Sequence, residues 1–227
     1  MVKKLDILGM EIDNYTVRES IMQVEVYLNQ TGMSVIETIS MKMLDMAGED
    51  ATVRACIDQL DLAVIGENEI LSAAGVSSAQ RKREILDHEF FREFMKRIIR
   101  NHKKVFLLGE NTGDVDKLEA YMQEEYDKLI IAGRCALEEK SGDNESVVNE
   151  VNSVSADAIL SILPTPLQEQ FLMENKLKLD AKVWYGLGDG YEARSGLRRF
   201  SHFAGRLIHR KRLQSRLNQY QNENEDK

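Results

Sequence analysis

The feature that most constrains this chain is an alternation. Short apolar runs ending in glycine or a polar residue recur between longer amphipathic stretches along nearly the whole length. The runs are "LDILG" (5–9), "SVIETI" (34–39), "LDLAVIG" (60–66), "KVFLLG" (104–109), "KLIIAG" (128–133), "DAILSIL" (157–163) and "KVWYGLG" (182–188). Helical patterning fills 16–30, 41–58 (with Gly48 as a point of interruption), 88–101, 114–126, 144–154, 166–178 and about 197–221. Strand–helix alternation means parallel strands joined by crossover helices. Unbroken apolar strands such as Val105–Leu108 suit a sheet covered on both faces. The expected fold is therefore α/β: a Rossmann-like, mostly parallel sheet flanked by helices, followed by a basic helical tail. The expected division is a body over 1–196, as one unit or two lobes, and an appendage over 197–227 whose polar end "NQYQNENEDK" frays.

Charge divides the chain the same way. The net charge is −8, yet no Asp or Glu occurs from Ala193 to Asn222. That stretch holds Arg194, Arg198, Arg199, Arg206, Arg210, Lys211, Arg212 and Arg216. The body is acidic and the tail is a positive arm, which attracts phosphates of nucleic acid, lipid head groups or a diphosphate substrate. Nucleic acid is the weakest of these, since no recognition motif accompanies the charge. No apolar run approaches the roughly 20 residues that cross a bilayer. The start, "MVKKLDILGM", lacks the apolar core of a signal peptide. Cys56 and Cys135 are too few for a disulfide framework or a zinc site, so a cytoplasmic setting is expected. His88, His102, His202 and His209 lack metal-ligand spacing and read as surface residues.

Two local motifs bear on chemistry. "GENTG" (109–113) follows an apolar run and precedes a helical pattern, where many α/β proteins hold a phosphate. It matches neither G-x-G-x-x-G nor a Walker loop, and Asp114 and Asp116 already complement the helix dipole, so a connection is the better reading. Both prolines of the chain sit in "LPTPLQEQF". Pro164 ends a strand, Thr165 is an expected N-cap, and Pro166 is the expected first helical residue. Gln168 and Glu169 then fall at the carboxyl edge of a parallel strand, where open α/β sheets bind ligands. A well-capped helix start is the equally open alternative.

In this order the elements resemble the WecB/TagA/CpsF family of bacterial glycosyltransferases. The resemblance runs from "LDILGMEIDNYTVRESI" through "VIETISMKMLDMA", "LDLAVIGENEI", "KVFLLGENTG" and "LPTPLQEQF" to "VWYGLGDGYEARSG". It implies transfer of an N-acetylhexosamine-type sugar, such as N-acetylmannosamine, from a UDP-sugar onto a polyprenyl-diphosphate-linked sugar in wall or surface polymer synthesis. The implied mechanism is inverting, with no metal and no cofactor beyond the UDP-sugar donor. The implied location is the inner face of the cell membrane, as a peripheral protein, with homo-oligomers in prospect.

Position by position, the resemblance implies Thr38, Ser40, Arg83, Gly109, Gln168 and Glu169 as substrate contacts and Glu67 as the general base. Arg198, Arg199, Arg206, Arg210, Lys211 and Arg212 would meet the membrane or the diphosphate. Departures are plain: Glu67-Asn68 stands for Asp-Gly, Ser40 stands for Asn, and the basic tail replaces the family's appendage motifs. A nucleotide-sugar-binding or scaffold paralogue with impaired catalysis is the alternative.

Overall fold

The computed structural model describes residues 3–140 and 143–188, then Arg212, Ser215, Arg216, Gln219 and Tyr220. A six-stranded, wholly parallel sheet runs in the order β4-β3-β8-β7-β5-β6. Its strands are β3 (Ser34–Ile39), β4 (Leu62–Ile65), β5 (Lys104–Gly109), β6 (Ile130–Ala136), β7 (Ala158–Ser161) and β8 (Val183–Gly186). The expected Rossmann-like α/β fold is thus present. Strand parity sorts the core. Ile36, Val105, Leu107, Leu160 and Tyr185 face α1 (Val17–Tyr27), α6 (Glu89–Arg100) and α7 (Thr112–Glu125). Val35, Phe106, Leu108, Ile159 and Trp184 face α3 (Ala51–Asp58), α8 (Asn144–Ser153) and α9 (Leu167–Asn175). Both faces are dry, which is why these strands read as continuous apolar runs.

The edge beyond β4 departs from expectation. The first apolar run is not a strand of the main sheet. It forms a hairpin, β1 (Lys4–Ile7) with β2 (Met10–Asp13), turning at Leu8 and Gly9, both at positive φ. Leu5, Ile7, Met10 and Ile12 join a separate core with α2 (Met41–Ala47) and α3. Asp13 ties the hairpin down, accepting from the Ala63 N–H at 2.9 Å and pairing with Lys4 at 2.8 Å. The helical stretch 41–58 does break at Gly48, where α2 ends and Asp50 caps α3. Two helices, α4 (Asn68–Ala73) and α5 (Ala79–Leu86), fill a region with no expected element.

Described residues of the tail reach this same edge. Arg216 donates to the Asp45 carbonyl at 2.9 Å and pairs with the Asp45 carboxylate at 3.6 Å and with Glu49. The Tyr220 hydroxyl donates to Asp6 at 3.3 Å. A cation at the last turn of α2 also complements the helix dipole. Arg216 thus takes its counter-charges from the acidic body, the tail stretch itself having none.

Candidate active site

Of the residues expected to act on substrate, Thr38, Ser40, Glu67, Gln168 and Glu169 lie near the carboxyl ends of β3, β4, β7 and β8, the edge where open α/β sheets bind ligands. They fall on two sides of it. On the α1/α6 side, the Thr38 hydroxyl lies 3.2 Å from that of Tyr185. The Tyr185 ring is held edge-on between Phe90 and Phe94, with centroids at 5.5 and 5.0 Å. Thr38 also packs against Gly66: a Cβ on that glycine would lie 2.6 Å from the Thr38 methyl. A cavity of about 30 Å³ opens here, lined by Thr38, Tyr185, Gly66, Arg81, Glu84 and His88 among others. That is room for a water or two.

Glu67 follows Gly66 directly. It occupies the N-cap position of α4, and its carboxylate accepts the Met41 N–H at 2.9 Å. Ser40 is the N-cap of α2, whose first residue is Met41, its hydroxyl accepting from the Met43 N–H at 3.1 Å. Both expected site residues therefore hold the N-terminus of α2, a place that favours negative charge. The Glu67 side chain is part-exposed.

Arg83 is displaced from expectation. It lies on the exposed face of α5, and the arginine turned into the cavity is Arg81, 5% exposed. Arg81 pairs with Glu84 at 2.5 Å and its Nε donates to Asn14 at 3.4 Å. Glu84 in turn accepts the Val17 N–H at 3.3 Å and the Gln80 amide at 2.9 Å. His88, read from sequence as a surface residue, lines the cavity from the N-cap of α6 in a left-handed conformation.

On the α3/α9 side stand Gln168 and Glu169, both buried. Pro166, not Thr165, takes the N-cap position of α9, behind a cis Thr165–Pro166 bond. Thr165 instead donates its hydroxyl to Glu169 at 3.0 Å. The Gln168 amide lies flat on Gly186: a Cβ there would sit 2.5 Å from Nε2. Facing the same point from β3 is Glu37, wholly buried, with neither carboxyl oxygen hydrogen-bonded. Sequence reading passed over Glu37 and Gly186. The available signal was an acidic residue inside an otherwise apolar central strand, "SVIETI".

Gly109 belongs to packing. A Cβ on it would meet Val115 at 2.6 Å and Ile162 at 3.2 Å, so only glycine lets β5 run beneath α7. The start of α7 is closed by protein groups: Glu138 accepts the Thr112 N–H at 2.6 Å, and Asn111 caps Asp114 at 2.9 Å. Two backbone amides at the start of α7 are thus taken by protein groups, and Gly109 itself packs beneath that helix. Of the tail cations assigned to membrane or diphosphate, Arg212 lies 4.0 Å from the Asp45 carboxylate. Arg198, Arg199, Arg206, Arg210 and Lys211 lie outside the described residues. Among the described residues, no three His, Cys, Asp or Glu side chains gather as metal ligands.

A protein of Staphylococcus aureus (strain NCTC 8325 / PS 47) named N-acetylglucosaminyldiphosphoundecaprenol N-acetyl-beta-D-mannosaminyltransferase is 25% identical over 201 residues, covering 86% of this chain and 77% of its own length. The protein of that name from strain MRSA252 is 27% identical over 202 residues, with the same coverage. The model of the glycosyl transferase WecG/TagA/CpsF family matches residues 5–205, nearly the whole body and the start of the tail, and the chain belongs to that family.

Proposed function

We propose that this protein transfers N-acetylmannosamine from its UDP-activated form to an N-acetylglucosaminyl-diphosphoundecaprenol acceptor, a step in building a cell-wall polymer. The relatives named for that acceptor and that sugar support the reading. The observation that carries it here is the gathering of Thr38, Glu67 and the Gln168–Glu169 pair at one rim of adjoining parallel strands.

In the proposed reaction an acceptor hydroxyl oxygen attacks the anomeric carbon, the bond from that carbon to the phosphate oxygen breaks, and UDP departs with the electron pair. The hydroxyl proton passes to Glu67. Inversion at the anomeric carbon follows from a single displacement. Gln168 forms part of the donor floor, and Arg81, its charge shared with Glu84, is the nearest described cation to the cavity. No resident metal or cofactor is assigned. The test is direct: incubate the full chain with UDP-N-acetylmannosamine and the diphospho-lipid acceptor, and titrate it with UDP by calorimetry. A disaccharide-lipid product is expected. UDP binding without product would favour the impaired, nucleotide-sugar-binding reading, and no UDP binding would remove both.

We also propose a peripheral seat on an anionic membrane. Among the described residues no helix is long and apolar enough to cross a bilayer, yet the proposed acceptor is a lipid. Each Lys or Arg near an anionic surface contributes about 1 kcal/mol. The chain should therefore pellet with anionic vesicles at low salt and be released at high salt, where screening shortens. Replacing Arg198, Arg199, Arg206 and Arg210 by Gln should leave it in the supernatant. Equal pelleting of both chains would assign those arginines elsewhere.

A further inference from the structure

Glu37 is the group the reaction above does not use and ordinary packing does not explain. It sits in β3 with no solvent exposure and no hydrogen bond to either carboxyl oxygen. An unpaired buried charge costs several kcal/mol, so such a group is kept neutral. Burial, and then the neighbouring negative charge of Glu169, push its carboxyl well above the usual glutamate range. A protonated carboxyl has an O–H to donate, which an ionised one lacks.

The surroundings show where that donor points its chemistry. Register places Ala63 of β4 on one side of Glu37 and Gly186 of β8 on the other, the smallest possible neighbours. Ladder strands lie about 4.8 Å apart. The space over Gly186 is filled by the Gln168 amide, whose Oε1 is buried and unpartnered. Strand parity puts Glu37, Gly186 and Ser161 of β7 on this same face. The other ionisable groups here come from two helices. Glu169 belongs to α9 and Lys176 is that helix's C-cap, and Cys56 belongs to α3, its thiol pushed up by burial and by Glu37. An orphaned acceptor on Gln168 thus faces an acid with a proton to give, across a gap that only glycine leaves open.

We propose that Glu37 is a positioning residue, whose carboxyl hydrogen-bonds the Gln168–Glu169 pair and holds Gln168 in the orientation in which it meets the donor. The functional half of this rests on Gln168 being a donor contact, as read above. Ionising Glu37 removes the bond and sets two carboxylates against each other, so Gln168 is released as pH rises through the raised Glu37 titration. The stability sign follows. Below about pH 4.5, the ordinary glutamate value, folded and unfolded chains both carry the proton and Glu37 costs nothing. Above it only the unfolded chain ionises, so stability falls as pH rises until the folded carboxyl ionises too.

The experiment follows the Gln168 side-chain amide by NMR across pH in the full chain without ligand, with UDP titrated by calorimetry at the same pH values. In the unaltered protein, the Gln168 resonances should move in one step, at a pH well above the ordinary glutamate range. UDP affinity should fall about tenfold over that step, as expected for one lost hydrogen bond. Glu37→Gln, of equal size and permanently neutral, should show neither change, and its melting temperature should exceed the unaltered chain's by a gap that widens above about pH 4.5. Gln168 resonances that ignore pH, or that titrate alike in Glu37→Gln, overturn the proposal. A Gln168 step that is lost in Glu37→Gln, in a chain that binds no UDP at any pH, removes the donor reading and leaves the Glu37–Gln168 bond standing.

Discussion

Glu67→Gln should lower sugar transfer by at least about a hundredfold, the usual range for losing a general base, while UDP-sugar affinity stays within a few-fold. The expectation combines two observations. Glu67 ends the Gly66 turn beside Thr38, at the strand rim where the acceptor would approach. Its carboxylate is already steadied by the Met41 N–H at 2.9 Å. Glutamine can accept that same N–H, so the capping of α2 survives and the lost activity reports chemistry and not folding. The loss should appear in kcat and in kcat/KM alike, because the removed group acts on the acceptor proton in the transition state. Glu67→Asp should keep or raise turnover if the shorter carboxylate is better placed, with about 1 Å of displacement able to change a rate roughly a hundredfold. Unchanged turnover for Glu67→Gln would place the base elsewhere. Glu69, in the first turn of α4, is the next carboxylate to test.

Gly186→Ala should be nearly as damaging, from a residue that carries no functional group. Its new Cβ would lie 2.5 Å from Nε2 and 2.9 Å from Cδ of Gln168. Real side chains do not approach so closely, so the Gln168 amide has to move by about 1 Å, a shift that costs on the order of a hundredfold in kcat/KM where the group positions substrate. The fold should survive, since alanine is tolerated in a strand and only one flexible side chain obstructs it. Coupling identifies the route. In a double-mutant cycle with Gln168→Ala, the two losses should fail to add, because both act through the same amide. Additive losses, or a Gly186→Ala chain with unaltered kcat/KM, would mean that Gln168 does not contact the donor.

Much of the fold was legible because the physics of a doubly covered parallel sheet writes itself locally. Val105–Leu108 and Val183–Tyr185 must be apolar on both faces, and their glycines and polar residues mark where the chain turns. The hairpin was hidden for a comparable reason. β2 has four residues and follows a turn built on Leu8 and Gly9, so only "LDILG" (5–9) reads as a strand and its partner is too short to announce itself. The α5 helix was missed because polar residues point inward: Arg81 and Glu84 are buried beside Ile85, which cancels the apolar stripe that announces a helix.

The sequence by itself determined the α/β class, the order of most strands and helices, the acidic body with its basic tail, and the motif order that marks the family. Tertiary structure decided what each polar residue near the site does. Helix phase turned Arg81 inward and Arg83 to solvent. Strand parity placed Glu37 opposite Gly186 and under Gln168, and put Thr38 on the other face against Tyr185. Packing made Gly109 a contact for α7, and a long-range ion pair brought Arg216 to Asp45. Periodicity and punctuation are properties of neighbours in sequence, so a chain displays them. Which groups meet across strands depends on register and crossover, set by residues more than a hundred positions apart, as Thr38 and Tyr185 are.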